Sequence, residues 1–227
     1  MLKRFFVIFL CCVLILSGLS PSAPQTAIAH TRNGIDVSEW QGRIQWRKVA
    51  NTGIRYVYIR ACIGSNYVDS QFRRNHRNAK RYGLQTGFYH YITARSAAQA
   101  RSQARFFART IAPYDYDLKP VMDFESFGAL SKKEINRIAL AYLRELKKRT
   151  GKKVAIYSDS NNAVNTFTDK RLTRYALWVA AYGVENPHTG KWKSYSGWQH
   201  EDSGRLSGIP DDSVDLDYIC KELRLKK

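Results

Sequence analysis

The chain has 227 residues, 44% of them hydrophobic, which is enough to bury one substantial core. Its 37 lysines and arginines against 19 aspartates and glutamates give a net charge of +18, so polyanions are favoured partners. The basic residues are spread along the chain, and patches such as "RNHRNAKR" and "KKRTGKK" read as solvated helix faces and ends; no focused basic and aromatic face points to nucleic acid.

In chain order, Lys3 and Arg4 precede an apolar run from Phe5 to Leu16, and Ala27-Ile28-Ala29 fits a small-x-small cleavage site. The run is short for a membrane span, so residues 1–29 read as an export signal and residues 30–227 as one domain. The long gap between the apolar run and the cleavage site leaves an uncleaved anchor as the alternative. Cleavage would leave no stable membrane insertion and would place the domain outside the cytoplasm, secreted or in the cell envelope. Two cysteines would remain, Cys62 and Cys220, whose pairing export permits but spacing does not decide.

Short β-rich runs follow at 34–38, 55–61, 86–92, 119–125 and 154–158. Helical patterns lie between them. Residues 69–83 end in Gly83, a candidate C′ glycine, and residues 96–111 begin at Ser96, a candidate N-cap. Residues 131–151 open with Ser131 and Glu134 in capping-box spacing and place Ile135, Ile138, Tyr142 and Leu146 on one face. A further helix is expected over 161–175. Strands at 176–182, 196–200 and 213–219 then come with no room for long helices between them. Eight strands, five with helical connections and three without, predict an α/β fold of modified TIM-like barrel type.

The acids carry the chemistry. In "VMDFES" (121–126), strand alternation places Asp123 and Glu125 on one face and Met122 and Phe124 on the other. If Phe124 packs on helices, both acids face the barrel mouth. Asp36 in the first strand and Asp215 in the last, with Asp217 on the same face as Asp215, would join them, because first and last strands are neighbours in a closed barrel. Close buried carboxylates raise one another's pKa, which suits a glycosidase needing a protonated acid beside ionised ones. Strand-end acids paired with Arg or Lys, or acids holding a metal, are the alternatives. Aromatics in or just after the strands, among them Tyr89, Tyr157, Tyr182 and Trp198, offer planes on which sugar rings stack. A nucleophilic pair of Cys62 with His90 or His76 is a weaker reading, with no third orienting residue in view.

The motifs "GIDVSEWQG", "YVYIRA", "YVDSQFRRNHRNAKRYGLQTGFYHY", "KPVMDFES", "VAIYS", "LWVAAY", "GWQH" and "VDLDY" together resemble the glycoside hydrolase family 25 lysozymes, from Gly34 to Tyr218. The resemblance implies a (βα)5β3 barrel that cleaves the β-1,4 bond between N-acetylmuramic acid and N-acetylglucosamine in peptidoglycan, with no cofactor and no metal. It implies Glu125 as general acid, Asp123 as its partner, and Asp36 and Asp215 as further active-site acids. Tyr89, Tyr157, Tyr182 and Trp198 are carried over as substrate contacts. One departure is Ile63 in "CIG", where the family often has a polar residue, which bears on substrate preference. A hydrolase of another N-acetylglucosamine polymer such as chitin, or a glycan-binding module without catalysis, are the rival functions. The net positive charge adds anionic cell-wall polymers as expected partners.

Overall fold

The computed structural model describes residues 33–210 and 213–226. The expected export signal lies outside the described residues. Nine strands are present: β1 (Gly34–Val37), β2 (Tyr56–Ile63), β3 (Tyr67–Val68), β4 (Gln85–Tyr91), β5 (Val121–Asp123), β6 (Ala155–Asp159), β7 (Ala176–Ala180), β8 (Gly197–Gly204) and β9 (Val214–Ile219). Eight of them close into a barrel in the order β1-β9-β8-β7-β6-β5-β4-β2, sealed by pairing of β1 with β2. The ninth, β3, is a two-residue strand hairpinned against the end of β2. Pairing is parallel from β1 through β2, β4, β5, β6 and β7 to β8. Within the barrel it turns antiparallel only where β9 joins β8 and β1.

Five α-helices serve the parallel half: α1 (Trp46–Ala50), α2 (Phe72–Arg81), α3 (Ala97–Ile111), α4 (Lys132–Thr150) and α5 (Ser160–Asn165). The strands β7, β8 and β9 follow without α-helices between them, as the shortness of those connections predicts. Ser96 caps α3 by accepting from the Gln99 amide. Ser131 and Glu134 form the reciprocal capping box of α4, and Gly151 ends that helix at φ +66°. Gly83, at φ +80°, follows α2 in the C′ role.

The helix expected over 161–175 is broken. It stops at Asn165, and a 3₁₀ turn begins again at Lys170, capped by the Asp169 carboxylate accepting from the Arg171 amide. Asn136 on α4 holds the break open. Its amide donates to the Thr166 carbonyl at 2.7 Å, and its carbonyl accepts from the Asp169 amide at 2.9 Å. Phe167, turned into the core between these contacts, supplies the apolar anchor.

Two cores follow from strand alternation. Met122, Phe124, Ile138, Tyr142 and Leu143 belong to the larger one, between sheet and helices. The barrel interior holds Tyr58, Leu118, Val121, Ala155, Trp178, Ile219 and Leu223. Within it the Tyr58 and Trp178 rings stack at 4.7 Å. Gly87 makes room for this plug: a Cβ there would stand 2.5 Å from the Tyr58 ring and 2.6 Å from Leu118. The barrel is therefore filled from below, and only its upper end is open to chemistry.

Candidate active site

At that upper end a cavity of about 200 Å³ is lined by residues of all eight barrel strands, β1, β2, β4, β5, β6, β7, β8 and β9, and by Glu125. Asp123 is the last residue of β5 and is buried, its Oδ1 without a hydrogen-bond partner. Alternation continues one step past the strand. Phe124 turns outward against Phe127, with ring centroids 4.9 Å apart, and Glu125 returns over the mouth. The expected strand over 119–125 is thus shorter than predicted, and Glu125 sits on the rim, more exposed than a strand position would leave it. Burial and then repulsion from Glu125 raise the Asp123 pKa well above the carboxylate range, with the Arg60 guanidinium opposing. Partial enclosure and then the Asp159 charge raise Glu125 as well.

Asp36 and Asp215 face each other across the antiparallel pair of β1 and β9. Both carboxyls line the cavity, close enough for each to perturb the other. Burial, then Asp215, raises Asp36 well above its ordinary value. Asp215 is pushed up to about 6, chiefly by burial. One step deeper, Asp217 lies opposite Gly34 and accepts from Trp178 Nε1 at 2.8 Å. That hydrogen bond ties the acid to the aromatic plug beneath the cavity.

Tyr89 and Tyr157 line the cavity and stand edge-on to Trp178, at 6.2 and 4.9 Å between centroids. Tyr182 is exposed beside them. Trp198 is elsewhere. It is buried in the core outside the barrel, where its Nε1 donates to the Ala181 carbonyl at 2.7 Å and its ring meets Tyr195 and Tyr218. The expectation that it contacts substrate is corrected by strand parity: Trp198 and its neighbour Gln199 point to opposite faces of β8. Gln199 is the inward one. Its Oε1 accepts from the hydroxyls of Tyr157 at 2.8 Å and Tyr182 at 2.6 Å, while its Nε2 donates to Asp36 Oδ2 at 2.7 Å.

Sequence reasoning missed Gln199 and Arg60, which stand with Tyr91 on the cavity wall. Arg60 alternates inward with Tyr58 on β2, a signal that "YVYIRA" contained. Its Nε donates to Asp69 at 3.0 Å and its Nη2 to Glu39 at 2.9 Å, so two carboxylates hold the guanidinium at the wall. The Cys62–His90 pair is not assembled as a nucleophile and base. His90 is buried with Nδ1 on the Tyr142 hydroxyl and Nε2 on the Gly64 carbonyl, both at 2.8 Å, and burial lowers its pKa to about 3. Burial pushes the Cys62 thiol up to about 12, and both Cys62 and Cys220 are free thiols.

Residues 35–209 match the family model described as glycosyl hydrolases family 25. The chain belongs to this family. It is a glycosidase. The uncharacterized protein YegX of Escherichia coli O6:H1 is 37% identical over 192 residues, covering 80% of this chain and 67% of that protein. The autolytic lysozyme of Clostridium acetobutylicum is 34% identical over 192 residues, covering 83% of this chain and 56% of that protein. Among solved structures, the bacterial lysozyme from Streptomyces coelicolor superposes with a TM-score of 0.75 at 30% identity, covering 85% of this chain and 93% of that one.

Proposed function

We propose that this family 25 chain is an exported muramidase. It hydrolyses the β-1,4 bond between N-acetylmuramic acid and N-acetylglucosamine in peptidoglycan glycan strands, at the cell wall. The observation that carries the reading is the pairing of Glu125 on the rim with buried Asp123 beside it, neither accepting a hydrogen bond from the described residues. The similar proteins named as lysozymes support the substrate class. The apolar run ahead of Ala29 supports export.

In this mechanism Glu125 is the general acid. Its raised pKa keeps the proton available to the glycosidic oxygen as the C1–O bond breaks. Asp123 faces the sugar that acquires positive charge at C1. Its unpartnered Oδ1 accepts the substrate's acetamido N–H and faces the oxocarbenium-like state as it forms. Water then adds at C1, and its proton returns to Glu125. Asp36 and Asp215 lie opposite, and Tyr89, Tyr157 and Tyr182 flank the sugar.

The test compares wild type with Glu125→Gln on purified peptidoglycan, with the products read by mass spectrometry. New muramic-acid reducing ends from wild type and none from the variant are expected. Cleavage of chitin in place of peptidoglycan, or binding with no product from wild type, would overturn the reading.

A further inference from the structure

A second groove, of about 830 Å³, runs along the outer face of α4, away from the acids of the mouth. Its floor is small and apolar, with Leu140 buried and Ala97 and Ala141 half-buried. Its walls are basic: Arg101 from α3, Lys133, Arg137, Arg144 and Lys148 from α4, and Arg171 beyond α5. The two acids that line it are already engaged. Asp169 holds Arg171 at 2.6 Å, and Glu145 holds Arg149 at 2.8 Å and Arg105 at 3.5 Å. Arg101, Lys133, Arg137, Arg144 and Lys148 have no salt-bridge partner among the described residues.

A solvated helix face ordinarily alternates sign at i,i+4, because like charges at that spacing repel. Here 133 and 137, and again 144 and 148, are like-charged pairs on one stripe. At 1.5 Å per residue the stripe extends for about 22 Å, far longer than one small anion needs. A linear polymer with an anion at each step would neutralise it all along its length. The lining contains no aromatic ring on which a nucleic-acid base could stack. The groove shares no lining residue with the acidic mouth, so a polymer held there leaves that mouth free.

We propose that the α4 groove is a second binding site, which takes a linear phosphodiester polyanion attached to the cell wall and retains the enzyme near its glycan. The site rests on the wall-hydrolase reading only for where the polymer is found. Guanidinium groups pair with phosphate oxygens in bidentate fashion, and the lysines add point charges.

Binding of a synthetic poly(glycerol phosphate) to the full chain tests the proposal. The probes for comparison are phosphatidylglycerol vesicles and an oligothymidylate. The variant Lys133→Gln/Arg137→Gln/Arg144→Gln/Lys148→Gln is set against Arg47→Gln/Lys48→Gln/Arg73→Gln/Arg77→Gln, which removes the same charge from other exposed helix positions. The first variant should bind poly(glycerol phosphate) at least about 10-fold more weakly, with a salt slope reduced by about 3. The control should lose less than about 3-fold, the non-specific share expected from net charge alone. Hydrolysis of short soluble glycan fragments should be unchanged in both, which separates this site from the proposed activity. Equal weakening in both variants would overturn the proposal, because net charge alone would then explain binding. Tighter binding of wild type to vesicles or oligothymidylate would overturn it in favour of another partner.

Discussion

On the β5 side of the mouth, Asp123 and Glu125 accept no hydrogen bond from the described protein groups. On the facing side, formed by β8, β9 and β1, two acids are tied by nearby strands. Asp36 takes an amide hydrogen from Gln199, and Asp217 takes the Trp178 indole hydrogen on Oδ1 while its Oδ2 has no partner. The same residue type in the same sheet thus has two states. Bare carboxylates keep their acceptor capacity for a substrate. Tied ones hold shape and a fixed charge. The difference follows from the neighbours: β8 brings an amide and β7 an indole to the tied side, whereas on the bare side Asp123 meets the Arg60 charge and Glu125 that of Asp159.

Changes at the bare side should cost activity and little else. Asp123→Asn is expected to lower kcat at least about 100-fold, since it removes the charge opposite the developing cation. Its melting temperature at pH 7 should not fall, because a buried carboxylate with an orphan oxygen is itself a destabilising group. Clearing of wall suspensions and thermal melts read the two effects. A variant that unfolds yet cleaves normally when folded would erase the distinction between the two sides.

The tied side should fail in the opposite manner. Gln199→Leu leaves Asp36 and the Tyr157 and Tyr182 hydroxyls without their shared partner, and should cost about 1–3 kcal/mol in chemical denaturation. Its kcat should fall by about 10-fold, less than for Asp123→Asn. Equal losses of kcat would show that both sides touch the reaction alike.

Asp215 gives the comparison a pH signature. Its folded pKa, about 6, lies above the ordinary value of 3.8, so the folded state holds the proton more tightly. The resulting stabilisation is complete below about pH 4 and is lost as pH rises through about 6. After allowance for partial exposure, the loss should be on the order of 1–2 kcal/mol. Asp215→Asn should remove that part of the slope between pH 4 and 7, measured by urea unfolding. An unchanged slope would mean that the carboxyl titrates normally.

The smallest effect on activity is expected outside the barrel. Trp198→Phe loses the hydrogen bond to Ala181 and should cost about 1 kcal/mol of stability. KM should be unaltered. A several-fold rise in KM would return Trp198 to the cleft.

Much of this arrangement was legible in local pattern. The capping box at Ser131, the apolar face of α4 and the alternation through 121–124 each depend on residues a few positions apart, and the structure forms all three. Asp36 and Asp215 could be brought together because closure of a barrel makes first and last strands neighbours. What escaped was set by register between distant strands. Gln199 matters because β8 sets it against Asp36, and Arg60 because Glu39 and Asp69 fold back to hold it. Trp198 misled because aromatic character does not say which face a strand residue takes. The five-residue α1 has no side-chain cap and too few turns to show a period, so nothing in its sequence announced it.

The most direct test of the division between bare and tied acids varies the leaving group. Wild type and Glu125→Gln are compared on natural glycan fragments and on a β-glycoside of the same sugar whose leaving group is a nitrophenolate, which needs no proton to depart. The account predicts that Glu125→Gln loses about 10²–10⁴-fold on the glycan and keeps most of its rate for bond cleavage on the nitrophenyl glycoside. An equal loss on both would contradict the assignment of Glu125 as the proton donor.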